Sequence, residues 1–212
     1  MQQSYSFIHS NSRVSTTDSV GERVAQIASN IVILVAFLVL IDWQLDLWLL
    51  KSVIPGSTTM KVNTAGCFLL AGISLKLQTP KRQTALMARI AKGCAIAIII
   101  TAFLTICQYI FEWNLGIDEL LFRDPVSPAT SHPGRMGINT AIGISFTGAA
   151  LWLLARQERQ SPNQLQHQVK IDRTTSAQIL TTVAGAIALQ AIVGYAYNVR
   201  VFYHFGGLTT SM

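Results

Sequence analysis

Residues 31–41 read Ile-Val-Ile-Leu-Val-Ala-Phe-Leu-Val-Leu-Ile, a run in which only the backbone can form hydrogen bonds. Surrounded by hydrocarbon, such a run must satisfy its N–H and C=O groups internally, which restricts it to a helix or a closed barrel. The strict alternation of a barrel strand is missing, so a helix is expected. Four more segments share this character, and the five together cover residues 25–45, 62–77, 90–111, 138–155 and 177–197. The second is the shortest. The others approach the roughly 20 residues needed to cross about 30 Å of hydrocarbon.

The rest of the composition agrees. Only 12% of the 212 residues are charged and 50% are hydrophobic, whereas a soluble domain carries about 25% charged residues. A net charge of +6 without a clustered basic stripe argues against a nucleic-acid partner. Cys67, Cys94 and Cys107 lie inside apolar runs, with no paired spacing for a disulfide or zinc. The expected fold is therefore an all-α polytopic membrane bundle of about five spans. Residues 1–24 are read as an unordered cytoplasmic tail, rich in Ser, Thr, Asn and Gln, and 25–212 as the membrane domain.

Basic residues set the expected orientation. Arg13, Arg23, Lys76, Lys81, Arg82, Arg89, Lys92, Arg156, Arg159, Lys170 and Arg173 fall in the tail and in the loops at 76–92 and 156–173. The opposite side keeps Lys51, Lys61, Arg123, Arg135 and Arg200. The positive-inside rule places the amino terminus in the cytoplasm of a cell with the chain in its inner (plasma) membrane, and five spans leave Met212 outside.

An internal repeat organises the spans. Met60–Leu75 reads MKVNTAGCFLLAGISL, and Met136–Leu151, 76 residues later, reads MGINTAIGISFTGAAL. Pro-Gly precedes both copies. Each unit is a span, an outer loop, the Met-x-x-Asn-Thr-Ala stretch, a second span and a basic loop. The units run over about 25–92 and 93–175, with a third begun at 176–212. WQL at Trp43, WNL at Trp113 and YNV at Tyr197 also rhyme, at spacings of 70 and 84. Two crossings per unit give a parallel repeat about the membrane normal. GGLTTSM at the end resembles PGSTTM, so the sequence is expected to be a piece of a longer protein.

Together, GIDELLFRD, PGRMGINTAIGISFTGAALWLL, VIPGSTTMKVNTAGCFLLAGISL and GYAYNVRVFYHFGGLTTSM resemble the amino-terminal membrane region of bacterial multi-domain sensor histidine kinases of cyanobacterial type. The resemblance covers about residues 27–212. It implies a two-component signal-transduction role, with PAS, GAF and kinase modules beyond this chain.

Candidate ligand-binding residues come from polar groups in apolar surroundings. Thr101, Thr105, Gln108 and Glu112 follow helical spacing on the third segment and are expected to line one inward face. Tyr109 could close the same region. Asn63 and Asn139 open the two Asn-Thr-Ala stretches, either as caps or as interhelical glue. Gly137, Ala141, Ser145 and Ala149 form a small-residue packing stripe. Met60, Met136 and Met212 with His132 and His204 are soft donors suited to Cu(I), but the repeat alone explains their spacing, so no metal or other cofactor is assigned. Trp48, Trp152, Tyr195 and Tyr203 join the other aromatics at span ends as an interfacial belt. In LGIDELLF, Ile117, Leu120 and Leu121 are expected to anchor a short surface turn with Asp118 and Glu119 facing water.

No nucleophile–base pair, Walker loop or dinucleotide fingerprint is found, and His9 and His167 lie in the tail and a polar loop, so no enzymatic activity is expected of this chain. The favoured function is a membrane sensory input module. A small transporter or channel subunit and a membrane scaffold are the alternatives. The lipid bilayer and a second copy, joined through membrane helices, are the expected partners. Reporter fusions at Ser10, Gln83 and Gln164 should read as cytoplasmic and one at Ser127 as external; a cytoplasmic Ser127 would refute the topology.

Overall fold

The apolar segments all fold as helices. The structure, a computed structural model, describes residues 2–45, 60–79, 84–120, 122, 133–155 and 164–197. These form α1 (Gln2–Leu45), α2 (Val62–Gln78), α3 (Ala85–Ile110), a 3-10 turn (Ile117–Glu119), α4 (Ile138–Ala155) and α5 (Gln164–Ala196), with no strand among the described residues. Thr84 caps α3, its Oγ1 accepting the Met87 N–H at 3.2 Å, which satisfies one of the orphan donors of the first turn.

Among the described residues, four segments are long and apolar enough to cross a membrane: Val20–Leu45, Ala85–Ile110, Ile138–Ala155 and Arg173–Gly194. The fifth expected span, α2, has 17 residues, a rise of about 25 Å. It nevertheless has to return the chain between α1 and α3. Trp43 Nε1 donates to the Met60 carbonyl at 3.0 Å, whereas Ser29 lies against Gly72, so α1 and α2 are antiparallel. Ser74 Oγ donates to the Ala91 carbonyl at 2.9 Å, pairing the end of α2 with the start of α3. Tyr109 Oη donates to the Met136 carbonyl at 3.0 Å and Gly148 meets Ala95 and Ile98, so α3 and α4 are antiparallel too. Gln78 Nε2 reaches the Leu151 carbonyl at 3.3 Å, setting α2 alongside α4. The last helix, α5, packs on α4.

The two helix pairs, α1–α2 and α3–α4, repeat their contacts. In both, an aromatic residue near the end of the first helix donates to the methionine carbonyl just before the second. In both, the glycine 12 positions after that methionine (Gly72, Gly148) lets the helices approach. The buried positions of α1 recur in α3 at a constant spacing of 66: Ser29/Ala95, Ala36/Ala102, Val39/Thr105, Asp42/Gln108 and Trp43/Tyr109. The tryptophan rhyme at 70 is therefore not the structural register. Trp43 corresponds to Tyr109, while Trp113 lies beyond the end of α3 and is exposed. What survives between the pairs is the contact, a ring N–H or O–H on a backbone carbonyl.

Two boundaries differ from the sequence expectation. The backbone is helical from Gln2, where an unordered tail was expected, and from Gln164, so His167 lies in the first turn of α5 rather than in a loop. Elongation adds a bond for each residue fixed once a helix is nucleated, and residues 2–20 hold no Gly or Pro to stop it. The third repeat unit is described only through Tyr197. His132, His204, Trp48, Tyr203 and Met212 lie outside the described residues.

Between apolar helices in lipid, close packing rather than water exclusion holds the pair together. A Cβ on Gly72 would sit 2.6 Å from Ile33 Cγ1 and 3.2 Å from the Ser29 carbonyl oxygen, whereas one on Gly66 would meet nothing within 4 Å. Gly72→Ala should therefore lower stability by about 1–3 kcal/mol through overpacking, and Gly66→Ala should raise it by about 0.4–1 kcal/mol, both read as unfolding midpoints in detergent.

Candidate functional site

The polar stripe of α3 faces inward, as its company dictates. Thr105 and Gln108 are fully buried on the same side as Ala95, Ile98 and Ala102, while Phe103 and Ile110 on the other side are exposed. Thr101 Oγ1 donates to the Ala97 carbonyl and Thr105 Oγ1 to the Thr101 carbonyl, each at 3.0 Å, so both hydroxyl protons go to their own helix.

Glu112 leaves the stripe. The helix ends at Ile110, with the Phe111 N–H closing the last turn on the Cys107 carbonyl, and Glu112 takes φ = 53°. That is the left-handed conformation usual just past a helix end, normally taken by glycine. Spacing of i+11 presumes a continuing helix, so Glu112 swings off the face and is exposed.

The polar end of the α3–α4 pair is built around Asp118, contrary to its expected place on the surface. The loop after α3 turns at Gly116 (φ 67°), and the 3-10 turn points Asp118 inward while Leu120 faces out, 78% exposed. Gln108 Nε2 donates to Asp118 Oδ2 at 2.7 Å. Arg135 Nε donates to the same oxygen at 2.9 Å, with both side chains at least 95% buried. Arg135 Nη2 donates to the Trp113 carbonyl at 3.0 Å, and the guanidinium carbon lies 5.4 Å from the centre of the Tyr109 ring. A cation over a ring face adds about 0.5–2 kcal/mol. Gly134 (φ 70°) lets the backbone pass; a Cβ there would lie 2.7 Å from the Asp118 carbonyl oxygen.

This knot also reaches the first helix pair. Asn63 Nδ2, in the first turn of α2, donates to the Ile117 carbonyl at 3.0 Å, and Phe122 packs against the cluster formed by Val39, Trp43, Val62 and Ala65. Asn63 is thus interhelical glue rather than a cap. Asn139 opens α4 at the matching position and is buried, but its Oδ1 has no hydrogen-bond partner. Of the sequence candidates, Gln108 belongs to the site directly and Asn63 holds its loop. Asn139 lies in the α4 turn that follows Arg135, and Thr101, Thr105 and Glu112 stand apart.

Arg135 and Asp118 are the residues at the centre of this network, and sequence reasoning missed them. Each was counted as an outer-loop charge. The available signal was an acid and a base flanking the same loop, Asp118 two residues after Gly116 and Arg135 next to Gly134, glycines that permit an abrupt turn.

Not every polar atom in the knot is satisfied. Asp118 Oδ1, Arg135 Nη1 and Gln108 Oε1 are buried without a partner. Beside them lies a cleft of about 290 Å³ lined by Asn114, Gly116, Asp118, Glu119, Pro133 and Arg135. The network is thus left with one unpaired donor and two unpaired acceptors. No group of three or more metal-ligating side chains occurs among the described residues.

Removing one partner of a buried ion pair strands the other. Arg135→Ala should cost on the order of 3–5 kcal/mol in unfolding free energy, while the double variant Arg135→Met with Asp118→Leu should recover most of that loss. Glu112→Gly should stabilise the chain by about 1 kcal/mol by relieving a left-handed non-glycine residue. Comparison with protein-family models, curated proteins and solved structures finds no match to this chain.

Proposed function

We propose that this chain is an integral-membrane sensory input module, in which a small ligand reaching the Asp118–Arg135 cleft from outside alters the packing of the helix pairs. The single observation that carries this reading is the knot itself: a buried ion pair with unspent hydrogen-bonding atoms, tied through one loop to both pairs. A group placed only to stabilise the fold would gain by being satisfied. Strain or occupancy at this loop acts on α3 and α4 through Gln108 and Arg135, and on α1 and α2 through Phe122 and Asn63. Such a module needs no catalytic group of its own.

The resemblance to sensor histidine kinases supports the same reading and supplies its direction: ligand outside, amino terminus and kinase modules in the cytoplasm, and two copies meeting through membrane helices. Antiparallel contacts along α1–α4 support the alternation that this orientation needs.

A second reading, a transporter or channel subunit, draws on Asp42. It is fully buried in α1, and both carboxylate oxygens lack a hydrogen-bond partner. Ionisable groups inside spans are often coupling sites. One measurement separates the two. With the native cysteines replaced, spin labels at Leu86 and Gln178 report the spacing of α3 and α5 at the end far from the cleft. Arg135→Lys should shift their mean distance by about 1–2 Å, the scale of signalling helix shifts. An unchanged distance, together with loss of a solute or proton flux in liposomes, would instead establish the transporter.

A further inference from the structure

The last helix, α5, is covered on one side only. It packs on α4, where a Cβ on Gly143 would lie 3.9 Å from Ile187 Cγ2. Among the described residues, 11% of its apolar stretch is buried, against 17% or more in the other three spans. Exposure alone fits a helix facing lipid. On α1 the exposed positions include Ile31, Leu34 and Phe37, and on α3 Ile96, Ile100 and Phe103, all large and apolar.

The exposed side of α5 carries an amide as well. Gln190 lies on it, inside the run Ala-Ile-Ala-Leu-Gln-Ala-Ile-Val-Gly at 186–194. Six residues separate it from the helix end at Ala196, a rise of about 9 Å. Thr181 and Thr182 return their hydroxyl protons to the Ala177 and Gln178 carbonyls at 2.8 and 2.9 Å. The Gln190 amide has no such outlet and forms no hydrogen bond among the described residues. In hydrocarbon an unpaired amide is costly, and the partner a bilayer offers is another helix.

Spacing identifies that helix. Ile179, Val183, Ala186, Gln190, Val193 and Tyr197 are all exposed and follow steps of four, three, four, three and four. This is the seam of two helices wound about each other, with Gln190 at a core position. In a parallel pair of identical helices each core residue faces its own counterpart. An amide is both donor and acceptor, so Gln190 is complementary to a second Gln190. A polar residue at one core position also fixes the register and the number of strands. Ala186, one turn away, lets the backbones approach.

We propose that two copies of this chain meet in the membrane through α5, side by side and parallel, with their Gln190 amides hydrogen-bonded to each other across the seam. This interface is read from α5 alone, and it names the helix that carries the meeting of two copies in the sensory reading.

The test uses the full chain with Cys67, Cys94 and Cys107 replaced, labelled through Ser10→Cys and reconstituted in phosphatidylcholine vesicles. Energy transfer between donor- and acceptor-labelled copies is followed as added lipid dilutes them. Transfer should saturate, with Gln190→Leu weakening association at least about threefold and Gln190→Asn retaining most of it. Because leucine keeps α5 apolar, the variant should still insert and fold. In separate chains, Ala186→Cys and Val193→Cys should form disulfide-linked dimers on oxidation with copper phenanthroline. Ile192→Cys, exposed on another side of α5, should not. Transfer no greater than random mixing gives would overturn the interface. So would undiminished association of Gln190→Leu, or equal cross-linking at positions 186, 192 and 193. Each of these results is independent of the cleft, where the spin-label shift on Arg135→Lys still decides the sensory reading.

Discussion

A guanidinium and a carboxylate buried side by side at the end of an apolar bundle must be held from several directions, or they would not stay dry. Arg135 and Asp118 are held by α3 through Gln108 and Tyr109, by the loop through the Trp113 carbonyl, and by the approach to α4 through the backbone beside Gly134. The desolvation cost of burying two charges approaches or exceeds their mutual attraction. Such a pair is therefore a poor source of net stability but a strict determinant of geometry. It fixes where the loop after α3 sits, and that loop is what Asn63 and Phe122 bring to the first helix pair.

Among the described residues only the α3–α4 pair carries this knot, and the matched positions of the repeat show where the pairs differ. At matching positions α1 presents Asp42 and α3 presents Gln108, both fully buried. An amide can donate to a carboxylate, so Gln108 recruits Asp118; Asp42 has no amide N–H to offer, and its oxygens find no partner. One substitution between otherwise equivalent positions thus separates a bonded network from an unpartnered carboxyl. The shared scaffold remains visible in the carbonyls of Met60 and Met136, each held by an aromatic donor, and in Gly72 and Gly148 at the helix contacts.

Much of this was legible in the sequence, for physical reasons that also mark where legibility stopped. Apolar runs specify helices in hydrocarbon, and α4 occupies the expected residues. The inward face of α3 followed from Thr101, Thr105 and Gln108, because polar groups avoid lipid. The register between α1 and α3 did not follow, because Trp113 matches Trp43 by name whereas Tyr109 matches it by hydrogen bond. Glu112 was misplaced because helical spacing says nothing about where a helix ends. Asp118 was misplaced because amphipathic reasoning assigns charge to water, and its real partner, Arg135, lies 17 residues away across a loop. Partnerships of this kind have no period.

The central claim is that one loop couples the two helix pairs, and a double-mutant cycle tests it directly. Asn63 and Arg135 stand on different pairs and have no direct bond to each other among those found for them. Stability should be measured for Asn63→Ala, Arg135→Met and the double variant in one detergent. Coupling through the loop predicts an interaction energy of at least about 0.5 kcal/mol. Strict additivity of the two losses would contradict it.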